Sequence, residues 1–180
     1  MPSLINSCRH LLNDPTHMLP KRTLTSLAAV ALDHDALYHG FSSLAAHYVR
    51  QIFTAHGAPF DLRLCIKNLP KQAVISNEGV LEDLDYTQPM ALESIHTTRL
   101  TLTKAAALSG LVCWLQLYAD EENYLDSLFA DKSWLPVYIP LFDGQTESVM
   151  PGDRLELQIE RRLCENQLNP DFFDHRGTDS

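Results

Sequence analysis

The chain has 180 residues, 45% of them hydrophobic and 21% charged, enough for one domain, or one with an embedded helical subdomain, that needs no staple. A formal net charge of −9, with Arg161-Arg162 as the densest basic cluster, argues against nucleic-acid binding; the acidic surface is of an ordinary kind, though it also fits a basic peptide. No uncharged apolar stretch reaches bilayer length, and residues 1–7 lack a basic flank followed by an apolar core, so a cytoplasmic globular protein without membrane contact is expected.

Residues 3–13 carry Leu4, Ile5, Cys8, Leu11 and Leu12 at helical spacing, with Ser3 as N-cap and Asn13-Asp14-Pro15 as a stop. Residues 23–32 read as a strand and Asp33-His34-Asp35 as a turn. Residues 41–56 return to helical period, with Phe41, Leu44, Ala45, Tyr48, Val49, Ile52 and Phe53 on one stripe, ended by Gly57 and Pro59.

Beyond residue 60 the texture becomes β. Residues 61–66 alternate ambiguously, and residues 73–76, 79–86, 95–103, 108–118, 135–141 and 154–163 read as strands. The clearest is 154–161, which alternates polar and apolar and turns Leu155, Leu157 and Ile159 inward. Turns fall at Asn77-Glu78-Gly79, Asp143-Gly144 and Pro151-Gly152-Asp153, and the tail 171–180 is polar. Successive strands without intervening helices predict an α+β, mainly β fold: an antiparallel barrel or sandwich with an N-terminal helix and an inserted helical arm.

The sequence offers little for catalysis. It contains no glycine-rich phosphate or dinucleotide loop and no Gly-x-Ser-x-Gly elbow. Cys8, Cys65, Cys113 and Cys164 form no Cys-x-x-Cys pair and read as free thiols in a reducing compartment. Asp33, His34, Asp35 and His39 read as a solvated turn and helix entry, so no metal site is expected. Glu82, Asp83 and Asp85, like Asp120-Glu121-Glu122, read as solvated edges before acid–base pairs. Trp134, at the entry to a strand and followed by Pro136, is the residue placed to roof a cleft, with a core position as the equal alternative.

The order of these pieces resembles the C-terminal half of the protein arginine methyltransferases. The opening helix followed by Met18-Leu19-Pro20-Lys21-Arg22-Thr23-Leu24 looks like that family's passage into its barrel, and residues 38–56 sit where the family inserts a dimerisation arm. The run 79–86 looks like the strand before its central barrel, and Gly110-Leu111-Val112-Cys113-Trp114-Leu115 resembles its Gly-Phe, two-residue gap, Trp-Phe strand. Trp134, Pro140-Leu141 and Val149-Met150-Pro151-Gly152-Asp153 resemble its tryptophan loop, next strand and Gly-Asp turn.

The resemblance implies a connecting helix over 1–17 from a cofactor domain outside this chain, a barrel over 18–168 with its arm at about 36–58, and a tail over 169–180. It implies Ser133, Trp134 and Tyr138 near substrate, and Phe41, Leu44, Tyr48, Ile52 and Phe53 on a homodimer arm. It implies no catalytic residue and no cofactor in this chain, with S-adenosylmethionine held by a cofactor-binding methyltransferase domain in cis or in trans. The family's loop reads Thr-His-Trp, whereas Lys132-Ser133-Trp134 lacks the histidine, which tilts the acceptor from peptide arginine towards a small or carrier-bound molecule. Because positioning of donor and acceptor supplies most of the rate in such a transfer, a barrel without its cofactor domain should be inactive. A free-standing β-barrel module for a small apolar ligand is the other reading.

Overall fold

Two strands carry the architecture, β1 (Arg22–Val30) and β6 (Gly110–Tyr118), paired antiparallel over their full length from Arg22↔Tyr118 to Val30↔Gly110. Both read as nearly unbroken apolar runs because both faces of their sheet are covered. Leu27, Ala29, Leu111 and Cys113 point into one core with Leu100, Leu102 and Ile159. The alternate residues Ala28, Val30, Val112 and Trp114 point into a second core with Ile66, Leu69 and Tyr138.

The computed structural model describes residues 2–32, 54–55, 63–66, 69–128, 134–142 and 145–162. Chain order begins with helix α1 (Pro2–Cys8), which tightens into a 3-10 turn at Arg9–Leu11, followed by another at Pro15–His17. After β1 come β2 (Leu64–Cys65), a 3-10 turn at Lys71–Ala73, β3 (Gly79–Asp85), β4 (Glu93–Thr101) and β5 (Ala106–Leu108). Then follow β6, β7 (Tyr124–Asp126), β8 (Val137–Pro140), β9 (Glu147–Val149) and β10 (Arg154–Arg162). Strands β2, β8, β6, β1 and β3 lie side by side in the main sheet, with β7 also paired to β6. Strands β4 and β10 form one two-stranded sheet, and β5 and β9 another, each joining segments distant in the chain. All strand pairs are antiparallel.

The segment after the Lys71–Ala73 turn stitches these pieces together. Ile75 N–H donates to the Ala29 carbonyl at 2.9 Å, and the Ile75 carbonyl accepts from Thr103 N–H at 2.7 Å. Strands β3 and β4 share no backbone ladder among the described residues; Thr98 Oγ1 instead donates to the Val80 carbonyl at 2.5 Å. The fold is therefore α+β and mainly antiparallel β, as expected.

Differences from the sequence reading have local causes. The opening helix stops at Cys8, short of residue 13, because Leu11 is exposed and no core rewards continuing the spiral. Residues 73–76 make isolated bridges at Val74 and Ser76 in place of a strand. The expected strand 108–118 is two strands interrupted at Ser109, whose hydroxyl accepts from Leu32 N–H. The short strands β7 and β9 carry no sequence signal, since three residues are too few to show alternation. The helical stripe at 41–56 and the turn at 143–144 lie outside the described residues, apart from helical positions 54–55.

Strand β10 places Leu155, Leu157 and Ile159 against the first core, as its alternation requires. The next inward position is Arg161, only 7% exposed. Its Nη1 lies 3.7 Å from Glu82 Oε1, while Arg161 Nε and Glu82 Oε1 have no hydrogen-bond partner. Burial holds the Glu82 carboxyl above its ordinary 4.5, and Arg161 offsets this only in part. A carboxyl whose pKa is raised on folding favours the folded state below its unfolded pKa, and that advantage fades as pH rises through the folded value. The stability advantage of the native chain over Glu82→Gln should therefore be larger at pH 4 than at pH 7 in urea melts. An advantage that grows with pH would mean the ionised pair outweighs its desolvation.

Candidate functional site

The lower ends of β1, β3 and β6 converge on a cleft of about 830 Å³. Register fixes its floor: Arg22 pairs with Asp85 on one side and Tyr118 on the other. The ladder continues one step further, with Lys21 N–H donating to the Tyr118 carbonyl and Tyr86 N–H to the Lys21 carbonyl, each at 2.8 Å. The Arg22 guanidinium donates from Nε and Nη2 to the two Asp83 oxygens at 2.7 and 2.6 Å, which raises its pKa and neutralises its charge. Its Cζ lies over the Tyr118 ring, 5.5 Å from the centroid, and Tyr118 stacks on Tyr124 at 5.0 Å. The Tyr118 hydroxyl donates to Gln116 Oε1 at 3.0 Å, and burial pushes its pKa up.

Two carboxylates on the walls are fixed by donors. Asp85 accepts from Thr87 Oγ1, Thr87 N–H and Gln88 Nε2, and these bonds, the Thr87 side chain first, hold its pKa down. Asp120 accepts from Asn123 Nδ2 and from the Asn123 and Glu122 backbones, with the same effect. Both are ionised at neutral pH and are poor proton donors. With Glu121 and Glu122 they leave the cleft net negative, because Lys21 is the lining cation without the bidentate neutralisation that Arg22 receives. The arrangement can recognise a polar cation against an aromatic wall; it does not assemble a nucleophile and base.

The structure does not gather the sequence-predicted site residues into this cleft. Trp134 stands at the surface, 54% exposed, three residues before β8. Tyr138 is buried in the second core; its hydroxyl donates to the Ser109 carbonyl at 3.0 Å and burial raises its pKa. Ser133 and the arm residues Phe41, Leu44, Tyr48, Ile52 and Phe53 lie outside the described residues. The sequence reads Asp85 and the 120–122 run as solvated edges, and Asp120, Glu121 and Glu122 are exposed. Their convergence with Lys21 and Arg22 depends on long-range register, which no local pattern announces. Among the described residues no group of three or more His, Cys, Asp or Glu is placed to hold a metal, and no helix is long and apolar enough to cross a membrane.

No protein-family model matches this sequence, and no curated protein matches it. Solved structures do. The PRMT1 enzyme–prozyme heterotetrameric complex of Trypanosoma brucei with AdoHcy superposes with a TM-score of 0.68 at 16% identity, covering 99% of this chain and 59% of that one. The chain shares its fold with protein arginine methyltransferase structures. Protein arginine methyltransferase 10 of Arabidopsis thaliana gives a TM-score of 0.62 at 14% identity, over 96% of this chain and 64% of that one. A PRMT6 structure gives 0.57 at 11%, over 85% and 54%. This chain therefore spans less than two thirds of the length of each of the three.

Proposed function

We propose that this chain is the barrel, substrate-side domain of a methyltransferase of the arginine methyltransferase type, and that a cofactor-binding domain in cis or in trans supplies S-adenosylmethionine. The observation that carries the reading is the coverage: nearly all of this chain takes up a fold that accounts for 59% of the Trypanosoma brucei chain. The 180 residues hold no glycine-rich loop to bind the donor, so on this reading the chain is inactive alone. The net-negative cleft at Asp85 and Asp120 fits an acceptor that carries positive charge. Self-association as a homodimer through Phe41, Leu44, Tyr48, Ile52 and Phe53 belongs to the same proposal. The alternative, a module for a small apolar ligand, has less support, since Leu27, Leu100, Leu111 and Ile159 fill the interior at 0% exposure.

The test is reconstitution. The full chain alone should transfer no labelled methyl group from S-adenosylmethionine and should not bind it. Co-expression with the cofactor-binding domain encoded before or beside it should give a complex that purifies together and turns over, with sedimentation reading the dimer. Methyl transfer by the chain alone, or a cofactor domain that neither binds nor responds to it, would sink the proposal.

A further inference from the structure

Arg161 occupies a position where the alternation of β10 calls for an apolar side chain; it approaches Glu82 on β3 and is hydrogen-bonded to the segment that leads into β4, its partner strand. Its Nη2 donates to the Ala91 carbonyl at 2.7 Å. Ala91 closes the 86–91 turn between β3 and β4, and the same turn is the seat of α1. Asn6 Nδ2 donates to the Met90 carbonyl at 2.8 Å, and Met90 N–H donates to Asn6 Oδ1 at 3.0 Å, a two-point clasp of the kind two strands make. One residue past α1, the Arg9 guanidinium donates from Nη2 to the Tyr86 and Gln88 carbonyls. Adjacent carbonyls, Met90 and Ala91, are thus held by two different elements, one by the N-terminal helix and one by β10.

We propose that Arg161 is a positioning residue: it anchors the 86–91 turn from inside and thereby fixes the seat of α1. Peptide planes are rigid, so with the Ala91 carbonyl tied the Met90 carbonyl can reorient only through the two dihedrals of Ala91. Without the tie the plane that Asn6 grips is free to turn, and the clasp loosens. An apolar side chain would fill the position without the desolvation that leaves Arg161 Nε and Glu82 Oε1 with no hydrogen bond. What that desolvation secures is a donor at a defined place on the turn. Under the function proposed above, α1 leads from the cofactor domain, so Arg161 also orients that domain towards the barrel; this consequence rests on that reading, and the tie does not.

Trypsin reads the seat directly in the full-length chain. The bond after Arg9 is protected while its guanidinium is engaged with Tyr86 and Gln88, and Arg99 within β4 reports global unfolding. Arg161→Met should raise cleavage after Arg9 by about tenfold relative to cleavage after Arg99, matching Asn6→Ala, which opens the clasp itself. Glu82→Gln leaves the Ala91 bond in place and should raise that ratio by less than about threefold. If Arg161→Met does not fold, Arg161→Lys keeps the charge opposite Glu82 while losing the second N–H arm, and should show the same selective release. An unchanged ratio, or a Glu82→Gln effect as large as that of Arg161→Met, overturns the proposal. A selective release of Arg9 with unaltered turnover of the reconstituted enzyme would leave the tie standing and count against the proposed function.

Discussion

Gly110→Ala is expected to lower the stability of the chain by about 3 kcal/mol, a large fraction of what a domain this size possesses. Gly110 opens β6 where three strands meet, paired with Val30 on one side and Pro140 on the other. A Cβ at this position would lie 2.5 Å from Tyr138 Cε2 and closer still to the Ile139 carbonyl. Neither neighbour can give way cheaply. The carbonyl belongs to the β8 backbone, and Tyr138 is pinned by its hydroxyl bond to the Ser109 carbonyl and by burial in the second core. Gly79→Ala makes the control. There the added methyl meets Thr98 Cγ2 and Leu100 Cδ2, both buried and Thr98 also held by its hydroxyl bond to the Val80 carbonyl, but no backbone atom is struck, so the loss should be smaller, about 2 kcal/mol. Urea denaturation of the two variants compares them, and equal losses would show that β8 adjusts more readily than its packing suggests.

What the sequence displayed was the part of the fold governed by local pattern. Strand β10 was legible because its outward residues Arg154, Glu156 and Gln158 are exposed while Leu155, Leu157 and Ile159 face the core. Strands β1 and β6 were legible as apolar runs, but nothing in them announced that two separate cores would claim their alternate faces. Against β1 and β6 the cores draw on β4, β8, β10 and residues 64–66 and 69–74, and their pairing is set by register across distances no window covers. The candidate cleft was hidden for the same reason. Asp85 and Asp120 show in the sequence only as members of two separate acidic runs, Lys21 and Tyr118 not at all, and only the Arg22↔Asp85 and Arg22↔Tyr118 pairings bring them to one place. Arg161 was visible as half of a basic pair, yet its inward direction follows from extending the alternation of β10 by one more step. Tyr138, which the family resemblance places near substrate, lies in the second core with its ring close to Gly110.

Trp134→Ala should separate function from stability in the opposite sense to Gly110→Ala. The indole is 54% exposed, so its truncation returns little apolar area to water, and the loss in stability should stay near 1 kcal/mol or below. Trp114 shows the contrast: it is 5% exposed within the second core, and its truncation would cut directly into packing. An exposed tryptophan beside Leu135 and Pro136 at the mouth of β8 is an unfavourable arrangement for an isolated surface, since the ring leaves apolar area in water. It becomes favourable once a second surface covers it, and under the proposed function that surface is the cofactor domain together with the acceptor between the two. Removing the indole then loosens the wall against which the acceptor is aligned, and small misplacements in a transfer that depends on in-line approach can cost on the order of a hundredfold. Turnover of the reconstituted enzyme should therefore fall by about tenfold or more while the melting temperature of the chain shifts by only a few degrees. A chain that melts far earlier but supports normal turnover once assembled would make Trp134 a packing residue and remove it from the substrate side.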